Sequence, residues 1–242
     1  MKYLVFSDIH GNVDALRSVL EEIDELRPDL VVSLGDVVGY GGSPAECVEL
    51  VDEFADIAVC GNHDYVAAGF DDGDDFNTTA RIAIEWTRSV LGAEHKELLA
   101  AYDSLRRHGD CIFAHGSPVD PLQWEYIYTM KEAQRLFGMT SERFICIGHT
   151  HIPGVISWRE GAGARVERSS IIELEPDRRY LINVGSIGQP RDGVSAASFA
   201  LIDAHKGLVN MRRIPYDIGS AQERIRENGL PESLASRLAL AR

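Results

Sequence analysis

Five short hydrophobic runs in this chain stop in the same way, each on a block of glycine, carboxylate, amide or imidazole, and that pattern constrains the fold most. Tyr3-Leu4-Val5-Phe6 runs into Ser7-Asp8-Ile9-His10-Gly11-Asn12, Leu30 to Leu34 into Gly35-Asp36, and Asp56 to Cys60 into Gly61-Asn62-His63-Asp64. Cys111 to Ala114 runs into His115-Gly116, and Phe144 to Ile147 into Gly148-His149-Thr150-His151. Such runs have the length and apolar density of strands buried on both faces. Glycine lets the backbone turn where each run stops, and the carboxyl ends of strands are where α/β folds open their crevices. Five of the eight histidines fall in these blocks. Asp8 and His10 are two apart, so extended backbone would send both side chains from one face towards a single ion.

Between the runs the period changes. Val13, Leu16, Leu20 and Ile23 recur at helical spacing, with Asn12 placed to cap and Arg27-Pro28 to stop. Ser43 and Pro44 open a second helix to about Phe54. Strand, helix and strand in alternation predict βαβ units and a parallel sheet. From Tyr65 to Gly109 the strand signal vanishes, which predicts an inserted helical layer: one helix with Ile82, Trp86 and Val90 on its buried stripe, another from about Ala93 to Arg107. The acidic run Asp71 to Asp75 lacks the alternating ligands and closing glutamate of a calcium loop and reads as a solvated loop. Trp124, Tyr126 and Tyr128 could form a base-stacking wall, but a packed aromatic loop is the expectation, followed by a helix from about Thr129 to Phe137.

Beyond His151, short runs at Val155 to Trp158, Tyr180 to Val184, Ala197 to Asp203 and Leu208 to Arg213 predict a largely antiparallel second sheet. Ser220 to Arg242 reads as a polar helical tail broken at Gly229-Leu230-Pro231. Without repeats or linkers, 242 residues at 45% hydrophobic content predict a single domain over 1–242.

Charge narrows the partners. The formal net charge is −14, which repels polymeric nucleic acid and anionic membrane. A small phosphorylated substrate needs a local positive field, and bound divalent cations are its simplest source. Carboxylate, amide and imidazole ligands without thiolate suit manganese, iron, zinc, cobalt or nickel. The blocks hold too many ligands for one ion, whereas two cations sharing a carboxylate, about 3.5–4 Å apart, account for the number. Cys47, Cys60, Cys111 and Cys146 form no Cys-x-x-Cys pair and read as reduced, buried residues. The first strand leaves no room for a signal peptide, and the expected compartment is the cytoplasm.

In this order the five blocks resemble the calcineurin-like metallophosphoesterase superfamily, over Asp8 to His151. The resemblance implies an α/β fold of two packed mixed β-sheets flanked by helices, an α/β/β/α sandwich. It implies that Asp8, His10 and His151 hold a first ion, that Asp36 bridges, and that Asn62, His115 and His149 hold a second, manganese foremost. His63 would stay off the metals as general acid, with Asp64 favouring its protonated form and holding its orientation. The implied reaction is in-line attack on a phosphoryl group by hydroxide from a water whose pKa two cations lower from about 15.7 towards 7. Serine/threonine protein phosphatases continue their second block into Asp-Arg-Gly, whose arginine grips phosphate; here the block reads Gly35-Asp36-Val37-Val38-Gly39-Tyr40. The chain is more similar to small prokaryotic phosphodiesterases and dinucleoside-polyphosphate hydrolases, whose closing loop Asn183 to Arg191 resembles. Arg191 either restores the missing phosphate contact or is a surface arginine. The expected activity is hydrolysis of small phosphodiesters, nucleotide polyphosphates or phosphomonoesters; the rival readings are a protein phosphatase and a non-catalytic scaffold of the same fold.

Overall fold

Alternation along the first strand sets the layers. In the computed structural model, which describes residues 1–242, β1 (Lys2–Phe6) turns Leu4 and Phe6 to one core and Tyr3 and Val5 to another. Asn12 caps α1 (Val13–Leu20) by accepting from the Ala15 N–H at 3.1 Å, and a single further turn, α2 (Ile23–Leu26), ends at left-handed Arg27. With α3 (Pro44–Phe54), α1 covers the Leu4 and Phe6 face.

Two six-stranded sheets stack face to face. The first runs β3 (Ile57–Ala58), β2 (Leu30–Ser33), β1, β11 (Ala197–Asp203), β12 (Leu208–Ile214), β9 (Ile171–Glu173). The second runs β4 (Leu105–His108), β5 (Cys111–Ala114), β6 (Phe144–Ile147), β10 (Arg179–Asn183), β7 (Gly154–Arg159), β8 (Gly163–Glu167). β1, β2 and β3 are mutually parallel, as are β5, β6 and β10; the remaining pairings are antiparallel. Tyr3, Val5, Phe113, Phe144, Tyr180 and Ile202 interdigitate between the sheets, giving the expected two mixed sheets. Three helices, α4 (Asn62–Ala68), α5 (Thr78–Val90) and α6 (Ala93–Ala100), join α1 and α3 outside the first sheet. α7 (Met130–Met139), begun by a Thr129 and Glu132 capping box, covers Ile112, Ile145 and Leu181 of the second.

Several expectations need correction. The late strands do not form one sheet: β11 inserts beside β1 with Leu4 opposite Leu201, while β7 and β10 join the other sheet. The helix from Ala93 stops at Ala100, and Leu105–His108 is a strand paired antiparallel to β5. On α5 the buried stripe is Ala80, Ala83, Ile84 and Thr87, which leaves Ile82 45% and Val90 46% exposed. The small alanines let that helix lie close to its neighbours, so proximity outweighs the bulk of the alternative stripe. The tail is not simply polar. Its helices α8 (Ile218–Glu227) and α9 (Glu232–Leu240) bury Ala221, Ile225, Leu234 and Leu238 against Tyr40 and Ala83. All four cysteines are buried and free, and no helix is long and apolar enough to cross a membrane.

Candidate metal centre

The parallel strands of both sheets end at one edge, and the loops leaving β1, β2, β3, β5, β6 and β10 meet there. Ladder hydrogen bonding continues past the strands: Asp8 N–H donates to the Gly35 carbonyl at 3.0 Å and His10 N–H to the Asp36 carbonyl at 2.9 Å. The sheets are tied together where His149 N–H donates to Asp8 Oδ2 and Gly188 N–H to the Asp8 carbonyl, both at 3.0 Å. Asp8, His10, Asp36, His149 and His151 all take left-handed backbone, with φ of 56°, 50°, 51°, 65° and 59°. Asp8 and His10 therefore do not share an extended face; each is aimed inward by a reversed peptide. Such backbone costs about 1–3 kcal/mol per residue and persists where surrounding contacts over-determine it. Gly61 illustrates the crowding, because a Cβ there would run into Asp36 Oδ1.

The side chains present their lone pairs to one another. Nδ1 of His10, His115 and His151 lies 3.1, 2.9 and 2.6 Å from the carbonyls of Val38, Leu34 and Gln189. A carbonyl can only accept, so each Nδ1 carries the hydrogen and each Nε2 offers a lone pair inward. His10 Nε2 and His151 Nε2 are 3.1 Å apart, and His115 Nε2 and His149 Nδ1 are 2.9 Å apart. Facing lone pairs at that range repel unless a proton or a cation lies between them. Each central carboxylate spends one oxygen on backbone: Asp8 Oδ2 on His149 N–H, Asp36 Oδ1 on His63 N–H at 2.9 Å. The other oxygens face the imidazoles, Asp8 Oδ1 at 3.3 Å from His151 Nε2 and Asp36 Oδ2 at 3.6 Å from His10 and 3.3 Å from His115. Asp8 Oδ1, Asn62 Oδ1 and His149 Nε2 are buried without a partner.

Electrostatics point the same way. Burial pushes the His149 imidazole down to about 3 and holds His10 and His151 well below the usual histidine range, so they remain neutral donors. Burial also opposes charge on His115, but Asp36 beside it lifts that group to about 9. Its Nε2 thus holds a proton, which a divalent cation would displace to reach the lone pair. Asp8, His10 and His151 form one group with ligand atoms within 4.8 Å of each other; Asp36, His115 and His149 form a second. The orphaned oxygens of Asp8 and Asn62, the tautomers and the mixed oxygen and imidazole donor set fit two divalent cations.

The domain model of the calcineurin-like phosphoesterase superfamily matches residues 1–207. The chain belongs to that superfamily. A metallophosphoesterase from Sphaerobacter thermophilus is 40% identical and superposes with a TM-score of 0.86 over 100% of this chain and 99% of its own. An uncharacterized protein of Methanocaldococcus jannaschii is 39% identical over 242 residues, 98% of this chain and 97% of its own length. A hypothetical protein of Pyrococcus horikoshii, 21% identical, shares the fold with a TM-score of 0.82 over 100% and 98% of the two chains.

In this phosphoesterase the expected partnership of His63 and Asp64 is absent. Asp64 turns away: Oδ1 accepts from the N–H groups of Val37 and Val38 at 2.9 and 3.2 Å, and Oδ2 from Gly61 N–H at 3.0 Å. Adjacent residues on a helix point about 100° apart, so the carboxylate closes the first turn of α4 while the imidazole faces the centre. Asp64 thus clamps the loop bearing Asp36 to the helix bearing Asn62. Asp64→Ala is expected to leave three buried N–H groups unpaired and to lower unfolding free energy by about 3 kcal/mol or more, measured by denaturant titration.

His63 lies between Tyr40 and Phe76, ring centroids 4.6 and 4.5 Å away, and its Nδ1 is buried without a partner. It also comes within 4.8 Å of the ligand atoms of His10 and Asp36, so distance does not separate it from the ligands. Burial pushes it down to about 4. Arg191 is no stray surface residue: it lines a cavity of about 120 Å³ with Asp36, Asn62, His63 and His151, and it donates to the neutral Oε1 of Gln189 at 2.8 Å. The aromatic loop is not packed away either. Tyr126 stacks on His149 at 3.8 Å and Tyr128 on Tyr126 at 5.3 Å, both rings exposed. Tyr40 and Phe76 escaped the sequence reading; for Tyr40 the glycines on either side were the available signal, for Phe76 there was none.

Proposed function

We propose that this phosphoesterase is a two-metal hydrolase of small phosphodiesters or nucleotide phosphoesters, metal-dependent and active with manganese. The observation that carries the reading is the position of Asp36 Oδ2, 3.6 Å from His10 Nε2 and 3.3 Å from His115 Nε2, between the two ligand groups. Asp8, His10 and His151 would hold one cation, Asn62, His115 and His149 the other, with Asp36 shared. Bound there, the cations would supply hydroxide at neutral pH and offset charge building on the phosphoryl oxygens.

The chain's own groups do the rest. Arg191 meets a non-bridging oxygen with a guanidinium that no carboxylate neutralises, in place of the arginine missing after Asp36. His63 stands over the same cavity to protonate the leaving oxygen. Free, it is neutral; the negative charge of a bound phosphate favours the protonated form that donation requires. Leu34, Val38 and Gln189 hold three imidazoles in the tautomer that keeps Nε2 inward.

Phosphopeptides should be poor substrates, since the −14 charge and the lone arginine offer little to an extended peptide. A screen of the manganese-loaded protein against diesters, cyclic nucleotides, monoesters and phosphoserine peptides tests this by kcat/KM. Diesters ahead by about tenfold or more, a difference of about 1.4 kcal/mol in transition-state binding, is the expected result. Peptides ahead would return the protein phosphatase reading.

A further inference from the structure

A second cavity, about 620 Å³, opens from the metal centre on the side away from Arg191. It shares Asn62, Asp75, Phe76, Tyr126 and His149 with the smaller cavity, so the two are one continuous cleft. Its volume lies in the range of small-molecule sites, about 300–1,000 Å³. Tyr65, Phe76, Trp124 and Tyr126 supply aromatic walls. Trp124 is half-buried, in left-handed backbone at φ 52°, with its ring 5.9 Å from Tyr65 and 6.2 Å from His115. Asp71 and Asp75 also line this cavity, and no lysine or arginine does. The cleft is therefore polarised: the Arg191 guanidinium is at one end, Asp75, Phe76 and Tyr126 border both limbs beside the metal ligands, and Tyr65, Trp124 and Asp71 line the far limb alone.

We infer that the aromatic and acidic limb binds the nucleoside arm of a phosphodiester, and that Asp71 and Asp75 exclude arms carrying further phosphates. This rests on the phosphoesterase reading above and narrows it. Aromatic walls suit a planar base, which stacks on rings without regard to its sequence identity. A polyphosphate arm reaching beyond the metal ligands would instead lie against two carboxylates with no lysine or arginine in the limb to offset them, and like charges side by side discriminate strongly against such a partner. Nucleotide polyphosphates, which the metal blocks alone leave open, are thereby disfavoured.

The probe for the limb itself is adenosine, which carries no phosphate and needs no catalysis. Calorimetric titration of the full chain with adenosine is expected to show binding at millimolar concentration, weakened about tenfold by Trp124→Ala. No binding to the unaltered protein would overturn the assignment. The exposed pair Asp71→Asn/Asp75→Asn, which leaves the walls in place, tests the charge rule independently of any folding defect at Trp124. It should raise kcat/KM for diadenosine tetraphosphate relative to the methyl phosphodiester of adenosine by about tenfold, the effect of removing like charge at short range. An unchanged ratio would overturn the exclusion. Adenosine binding with no ester cleaved would sink the phosphoesterase reading while upholding the occupant of the limb; diester cleavage without adenosine binding would do the reverse.

Discussion

Asp36→Asn is expected to empty both half-sites at once and to lower kcat by about 10³-fold or more, because the charge stabilisation two cations supply is worth several kcal/mol. The substitution is nearly isosteric, and the amide oxygen can still accept from His63 N–H, so α4 keeps its anchor. What changes is the other atom. An NH₂ group 3.3–3.6 Å from His10 and His115 Nε2 donates to lone pairs that would otherwise face a cation, and it removes the shared negative charge. The metal-free variant loses the buried Asp36–His115 ion pair and should melt below the metal-free parent while still folding, and elemental analysis should find neither ion retained at stoichiometric manganese. His151→Ala makes the contrast, since it touches the first group alone and should spare the second ion. One ion kept by Asp36→Asn, or one ion at saturation in the unaltered protein, would remove the shared-carboxylate reading.

The second large effect belongs to His63. A poor leaving group such as a ribose alkoxide needs a proton as it departs, whereas an acidic phenol leaves as its anion. General-acid assistance is worth about 10²–10⁴-fold, so His63→Ala should lose that much on a ribose-linked diester and far less on a nitrophenyl ester. The comparison carries more weight because no carboxylate hydrogen-bonds the imidazole: Asp64 is committed to backbone, Nδ1 has no partner, and Asp36 acts on it only through its nearby charge. Metal content settles the remaining ambiguity, since His63 lies within ligand range of His10 and Asp36. Unchanged metal with a leaving-group-dependent loss is the expected pair of results. Equal losses on both esters would exclude the acid role, and lost metal would make His63 a ligand.

Much of the candidate site was legible because each block is local. Gly-Asp, Gly-Asn-His-Asp and Gly-His-x-His announce themselves within six residues of a strand end, and parallel strands must deliver those ends to one edge. The cap at Asn12 was likewise readable, since a capping bond spans three residues. Apolar stripes were less secure. On α5 both Ile82/Trp86/Val90 and Ala80/Ala83/Ile84/Thr87 satisfy a helical period, and bulk favoured the stripe that ended up largely exposed.

Sequence by itself determined the α/β class, the candidate ligand residues at the strand ends and the family the chain belongs to, because all three depend on short-range pattern and residue chemistry. Tertiary structure alone decided that β11 lies against β1 and that the C-terminal hairpin packs on Tyr40. It also sent the Asp64 carboxylate to the Asp36 loop and left Tyr126 exposed beside His149 as a cleft wall. The reason is physical. Period and propensity specify how a segment folds and which face it hides, but a buried face accepts many partners of similar shape. The choice among partners nearly two hundred residues apart is made only when the whole core packs at once.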